Sequence, residues 1–277
     1  MSSDSSKSRF DHSSDSRFRV YYEKTSASAP VRQHFVRLRD KVLALRTRQG
    51  RRFDGLRVLD IGCNAGTQAL VWAEQGHRVT GLDVNEPLLD VARERAQSAG
   101  LEVRFDLGTA TSLPYEDGSM DVCMMAELLE HVQDWESCVN EAVRVLAPGG
   151  VLYLSTTNAL CPKQQEFNLP LYSWYPAALK KHVERLSVTT RPELANYARY
   201  PAVHWFTYSG LRNHLGRRSM LCFDRFDLID TTGYGWVSRN AVAALRRLPP
   251  LRWVGHVLTP GTSVMAVKQL GERPISS

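Results

Sequence analysis

Five short β-rich runs, "RVLDI", "RVTGLD", "EVRFD", "DVCMM" and "VLYLST", recur between residues 57 and 156, separated by longer stretches whose apolar residues repeat at helical spacing. Parallel strands need long crossovers, so this alternation predicts βαβ units. Right-handed crossovers then produce a mostly parallel sheet covered by helices on both faces. Helix-end signals agree: in "NEPLLDVARERAQSAG", Asn85 precedes Pro87 in the first turn and Gly100 closes the segment.

The flanks differ in kind. Residues 1–28 are rich in Ser, Asp, Arg and Lys, too polar to offset the entropy of ordering, and are expected to form a mobile tail at least to Asp15. From Pro30, Val31, Phe35, Leu38, Val42 and Leu45 fall on one helical face, which predicts an amphipathic helix lying across the domain. The sheet domain with this helix is assigned to residues 29–156. Residues 157–206, rich in Pro, Tyr and Trp, are too long for a plain loop and are expected to form an insertion after the fifth strand, with a helix near 176–186. Residues 207–277 complete the sheet, with a helix at 208–215 and strands near 222–229 and 262–269. A basic, aromatic excursion, "YGWVSRNAVAALRRLPPLRWVGH", separates those two strands.

A net charge of +6 and a pI near 9.1 suit an anionic partner, but the basic residues are spread along the chain. The five cysteines (Cys63, Cys123, Cys138, Cys161 and Cys222) show no CxxC pair, which argues against a zinc knuckle or a disulfide framework and for a reducing, cytoplasmic setting. No apolar run reaches the ~20 residues of a spanning helix, and the first residues lack the apolar centre of a secretion signal.

The first strand enters the turn Asp60, Ile61, Gly62, Cys63, Asn64, Ala65, Gly66. In an open α/β sheet this turn is the usual point of contact with a ligand. A nicotinamide fingerprint needs glycine at 62, 64 and 67, but Asn64 and Thr67 occupy two of those places, and no Gly-Lys-Ser/Thr follows to make a phosphate loop. Asn64 tolerates a left-handed backbone better than most residues and keeps the turn feasible. Asp83 ends the second run, 17 positions beyond Gly66, where a carboxylate can accept both hydroxyls of a ribose.

The DxGxGxG-like turn, Asp83, "GTATSLPYEDGSMDVCMM", "AELLEHV" and "RVLAPGGVLYLSTTN" resemble, in order and spacing, the class I S-adenosylmethionine-dependent methyltransferases over residues 57–158. The resemblance implies an α/β, Rossmann-like sheet of seven strands, mostly parallel with the last antiparallel, and methyl transfer by direct displacement. It implies cofactor contacts from Asp60, Gly62, Cys63, Asn64 and Gly66 at the methionine end and from Asp83 and Val84 at the ribose. Thr109, Ala110 and Ala126 complete the set, with Thr109 standing where the family often carries aspartate.

"AELLEHV" looks like the corresponding segment of the ubiquinone-biosynthesis O-methyltransferases, in which a Glu-x-x-Glu-His set is associated with a divalent cation. On a helical turn Glu127, Glu130 and His131 would share one face. Three roles stand open for them: Mg²⁺ ligands, a catalytic base formed by His131 with Glu130, or a structural brace. The insertion's Tyr172, Trp174, Tyr175, Tyr197, Tyr200, Trp205 and Phe206, with His204, suggest either a substrate lid or a self-packed subdomain. The acceptor is expected to be a small or lipid-like hydroxyl or phenol, although the insertion does not follow the ubiquinone enzymes closely and the resemblance supports the reaction rather than the substrate. The basic, aromatic segments "ALKKHVERL" and "LPPLRWVGHVL" are candidates for peripheral contact with an anionic membrane. RNA methylation and cofactor binding without catalysis are the alternatives, and steep salt dependence would mark the first.

Overall fold

The computed structural model describes residues 26–51, 54–164, 166–195 and 202–269. The expected N-terminal tail to residue 25, together with Tyr197 and Tyr200, lies outside the described residues. By internal contact the chain divides into two compact units, one comprising the described residues up to Met125 with Glu136–Leu152, the other Ala126–Trp135 with Tyr153–Gln269.

The strands are β1 (Arg57–Ile61), β2 (Arg78–Asp83), β3 (Val103–Leu107), β4 (Met120–Ala126), β5 (Leu146–Thr157), β6 (Met220–Asp224) and β7 (Gly261–Lys268). They form one seven-stranded sheet in the order β3-β2-β1-β4-β5-β7-β6. Parallel pairing sets Ile61 opposite Leu82, Asp60 opposite Met124 and Asp83 opposite Leu107, whereas β7 runs antiparallel to β6. Val58, Leu59, Ile61, Leu82 and Val122 are fully or almost fully buried, as expected of strands covered on both faces.

The helices are α1 (Ala29–Arg48), α2 (Thr67–Ala73), α3 (Glu86–Ser98), α4 (Trp135–Val145), α5 (Ala177–Ser187), α6 (Tyr208–Gly216), α7 (Trp236–Arg247) and α8 (Pro249–Val257). Asn85 caps α3 by accepting a hydrogen bond from the Leu88 amide, with Pro87 in the first turn. The apolar stripe of α1 buries Leu38, Val42 and Leu45, and its buried Arg39 donates to the Val71 carbonyl at the end of α2 (3.0 Å).

One expectation needs correction. The strand expected near 222–229 ends at Asp224, because Asp224 Oδ1 accepts the amides of Phe226 (2.8 Å) and Asp227 (3.1 Å) and bends the chain into a turn. The basic, aromatic excursion before β7 is ordered as the helices α7 and α8, joined at Leu248. No helix among the described residues is long and apolar enough to cross a membrane.

Candidate functional site

The turn after β1 is built for close backbone approach. Gly66 has φ +77°, and a Cβ there would lie 2.8 Å from Ala92 Cβ and 3.1 Å from the Phe105 ring, so only glycine lets α2 begin this close to α3 and β3. Asn64 takes the left-handed conformation expected of it, φ 48°, with its side-chain amide donating to the Gly62 carbonyl (3.0 Å). The amides of Gly62 and Cys63 donate to the Leu82 carbonyl at 2.7 and 3.1 Å, stitching the turn to β2.

Asp83, at the tip of β2, is buried and holds this geometry with both oxygens. Oδ2 accepts the Asn64 amide at 2.8 Å, and Oδ1 accepts the Asn85 amide at 2.9 Å. Burial pushes its pKa above the usual carboxylate range, while the amide bonds oppose that shift. Each carboxylate oxygen retains a lone pair for a further donor.

Asp60 lies beneath the turn. Gln68 Nε2, in the first turn of α2, donates to its Oδ1 (2.5 Å), whereas Oδ2 is buried without a well-formed hydrogen bond. Burial raises the Asp60 pKa to about 7, against the opposing Gln68 bond and with help from the charge of Asp83. Cys63 is buried beside these carboxylates, and burial raises its thiol pKa, making it inert packing rather than a nucleophile.

Beyond β2 and β3 the apolar side chains Val84 (51% exposed) and Leu107 (58% exposed) stand open to solvent at the carboxyl tips, where a covered sheet would bury them. The Gly108 amide donates to the Asp83 carbonyl (2.9 Å), which brings Thr109 and Ala110 alongside. Thr109 is exposed and its hydroxyl bonds to Thr111 (2.9 Å). A separate open cleft of about 1040 Å³ lies at the opposite, amino-terminal ends of β1–β3, lined by Arg57, His77, Arg78 and Arg104 among others. None of the candidate cofactor residues faces it, and ligands of such sheets gather at the carboxyl ends.

In the second unit, the segment after β4 departs from the expected helical face. Glu127 has a left-handed backbone (φ 50°), and only Leu129–His131 form a short 3-10 turn. Glu130 consequently points inward, fully buried, where Thr156 Oγ1 on β5 donates to its Oε2 at 2.7 Å. Glu127 and His131 remain exposed. Burial first, and the nearby Glu127 charge second, raise the Glu130 pKa well above the usual carboxylate range.

The methyltransferase domain family matches residues 59–154. A ubiquinone biosynthesis O-methyltransferase from Xylella fastidiosa is 32% identical over 178 residues, 63% of this chain and 71% of the relative. The chain belongs to the class I S-adenosylmethionine-dependent methyltransferases. Another ubiquinone biosynthesis O-methyltransferase, from Chelativorans sp., is 33% identical over 132 residues, 47% of this chain and 51% of its own length. The chain thus spans only about half the length of that curated relative. A crystal structure assigned as a sarcosine dimethylglycine methyltransferase from Galdieria sulphuraria shares the fold, with a TM-score of 0.55 at 17% identity over 92% of this chain and 99% of that one.

The family's cofactor fits the first unit. Asp60 Oδ2, which lacks a well-formed hydrogen bond, suits an ammonium, the Asp83 carboxylate suits a diol, and Val84 with Leu107 offers apolar cover for a base. Gln68, Leu107 and Arg95, whose guanidinium braces the turn through the Ala65 carbonyl (2.9 Å), escaped the sequence reading. Gln68 left one signal, as a polar residue in the apolar run "TQALVWA".

The Asp60 pKa yields a pH prediction. Because the folded-state value is raised, Asp60's contribution to stability is complete below the ordinary carboxylate range and is lost as pH rises through about 7. With Oδ2 assigned to the cofactor's ammonium, as proposed below, binding would favour the ionised form and expel a proton at acidic pH. Affinity for S-adenosylmethionine is expected to rise about tenfold between roughly pH 6 and 8 and then level off. Calorimetry across that range checks this, and Asp60→Asn should flatten the profile.

Two readings of the second unit are corrected. Glu127, Glu130 and His131 do not gather as a metal site, and no group of three His, Cys, Asp or Glu side chains placed to hold a metal occurs among the described residues. The left-handed Glu127 breaks the helical face that the reading required, and Glu130 is spent on Thr156 as a brace rather than exposed as a catalytic group. The aromatic residues of the insertion are mostly its own core. Tyr172 is fully buried, stacked on Phe167 (4.1 Å between centroids) and edged by Tyr175 and Trp205. Trp174 is the exposed member, 55% accessible, with its indole nitrogen donating to the Leu160 carbonyl. His204 is tied down by its ring to the Gln133 carbonyl (3.1 Å) and by its amide to the Glu130 carbonyl (3.3 Å). Packing within the insertion thus accounts for Tyr172, Tyr175 and Trp205 without a ligand.

Proposed function

We propose that this chain transfers a methyl group from S-adenosylmethionine to a hydroxyl of a small, apolar phenol- or quinol-like acceptor. The observation that carries the reading is the buried Asp83, whose two oxygens lock the turn after β1 at a sheet tip flanked by exposed Val84 and Leu107. Family membership supplies the reaction class, and the named activity of the ubiquinone biosynthesis relatives supports oxygen as the methylated atom.

In this reading Asp83 accepts both ribose hydroxyls, and Asp60 Oδ2 meets the methionine ammonium. Backbone groups at Gly62, Cys63, Asn64 and Gly66 border the methionyl chain. Val84 and Leu107 flank the adenine, with Thr109 and Ala110 at its edge. When bound, the cofactor supplies a methyl group on a cationic sulfur and leaves as a neutral thioether. The chain's own tasks are then alignment and removal of the acceptor's proton. His131, exposed on the turn after β4, takes that proton, while the buried Glu130 holds the turn against β5 through Thr156.

Incubation with isotopically labelled methyl donor and a panel of catechols, quinols and aliphatic alcohols, read by mass spectrometry, tests the proposal. Label on a phenolic oxygen is the expected outcome. Failure to bind S-adenosylmethionine by calorimetry would overturn the reading at its root, and label on nitrogen or carbon would overturn the acceptor class.

A further inference from the structure

Helices α7 and α8 are amphipathic in the inverted sense. Neither helix contains a buried residue. Their charged groups are the ones that grip the protein: Arg246 donates to the carbonyls of Phe226 (2.9 Å) and Ile229 (2.6 Å), and Arg252 donates to Asp224 (2.7 Å) and Asp227 (2.5 Å). His256 completes this anchor against Asp224 (2.9 Å), stacks on Tyr208, and receives Asn158 at its carbonyl (2.7 Å). Val242, Leu245 and Val257 are partly covered, but the largest apolar side chains of the segment stand open to solvent. Trp236 is 73% exposed, Val237 70%, Trp253 58% and Leu258 72%. A helix facing water carries its polar stripe outward, so a pair anchored by arginines with tryptophans outside is shaped for a different medium.

The charge of the segment selects that medium. From residue 231 to residue 260 the chain contains Arg239, Arg246, Arg247 and Arg252 and no aspartate or glutamate, and Arg239 and Arg247 are exposed. A second copy of the chain seated symmetrically on this face would meet the same carboxylate-free, cationic surface, which repels itself. Anionic lipid headgroups attract it, and Trp and Leu enter the interface beneath them. Neither helix is long enough to cross a bilayer, so both lie in its plane.

We propose that the outer face of α7 and α8 docks this protein on an anionic membrane surface. The inference stands apart from the catalytic reading, because it uses none of the residues assigned to cofactor or proton transfer. The test is flotation of the full chain with vesicles of phosphatidylcholine alone and of phosphatidylcholine with phosphatidylglycerol at about seven to three. The chain is expected to float with the mixed vesicles, weakly with the neutral ones, and less as salt is raised. The exposed double variants Trp236→Ser with Trp253→Ser and Arg239→Glu with Arg247→Glu should each reduce the partition coefficient by about tenfold. Far-ultraviolet circular dichroism identical to that of the parent excludes misfolding. Equal partition of parent and variants, equal binding to neutral and anionic vesicles, or absence of vesicle binding with a concentration-dependent dimer lost in the tryptophan variants would each overturn the proposal.

Discussion

Asp83→Ala is expected to weaken S-adenosylmethionine binding by about 3 kcal/mol, roughly a hundredfold, because charge-assisted hydrogen bonds and the shape of the turn are lost together. The variant removes the acceptors of the Asn64 and Asn85 amides, which are bonded at 2.8 and 2.9 Å in the parent. It also removes the carboxylate assigned to the ribose. Asp83→Asn retains one acceptor oxygen and should fall between the two, near a tenfold loss. Calorimetric titration measures the effect, and a thermal melt of each variant without ligand separates lost affinity from lost fold. An affinity unchanged in Asp83→Ala, in a protein that melts normally, would remove the ribose assignment and with it the placement of the cofactor.

The place of that carboxylate, at the tip of β2, was legible in the sequence because it depends on periodicity and position. A strand pattern ending in aspartate, 17 residues after a glycine turn, fixes where the carboxylate must project. The tolerance of Asn64 for positive φ was equally a property of one residue type. What escaped were facts set by contacts across the fold. Gln68 reaches Asp60 only because α2 turns back over β1, and "AELLEHV" carries no mark of the left-handed backbone at Glu127 that separates it from a helix. Composition also could not tell inside from outside in the insertion, where the fully buried Tyr172 and the half-exposed Trp174 stand two residues apart. The orientation of α7 and α8 was hidden for the same reason, since arginines and tryptophans at helical spacing describe two opposite faces without saying which one meets the protein.

His131→Ala is expected to lower kcat about a hundredfold while leaving the cofactor Kd within twofold of the parent, the mark of a group that moves a proton rather than one that binds the donor. The competing base on the same turn is Glu130, and its surroundings argue against it. It is fully buried and bonded to Thr156, so its carboxyl is turned away from an acceptor, and burial with the Glu127 charge pushes its pKa upward. Glu130→Gln keeps the shape of the side chain and an oxygen for Thr156, and should therefore retain most of the activity. A carboxylate base would not survive that change. Dependence on a base also weakens as the acceptor becomes more acidic, so the penalty of His131→Ala should shrink along a series from unsubstituted to nitro-substituted phenols. A constant penalty across that series would mark His131 as a structural residue, and a collapse of activity in Glu130→Gln with normal folding would transfer the proton to Glu130.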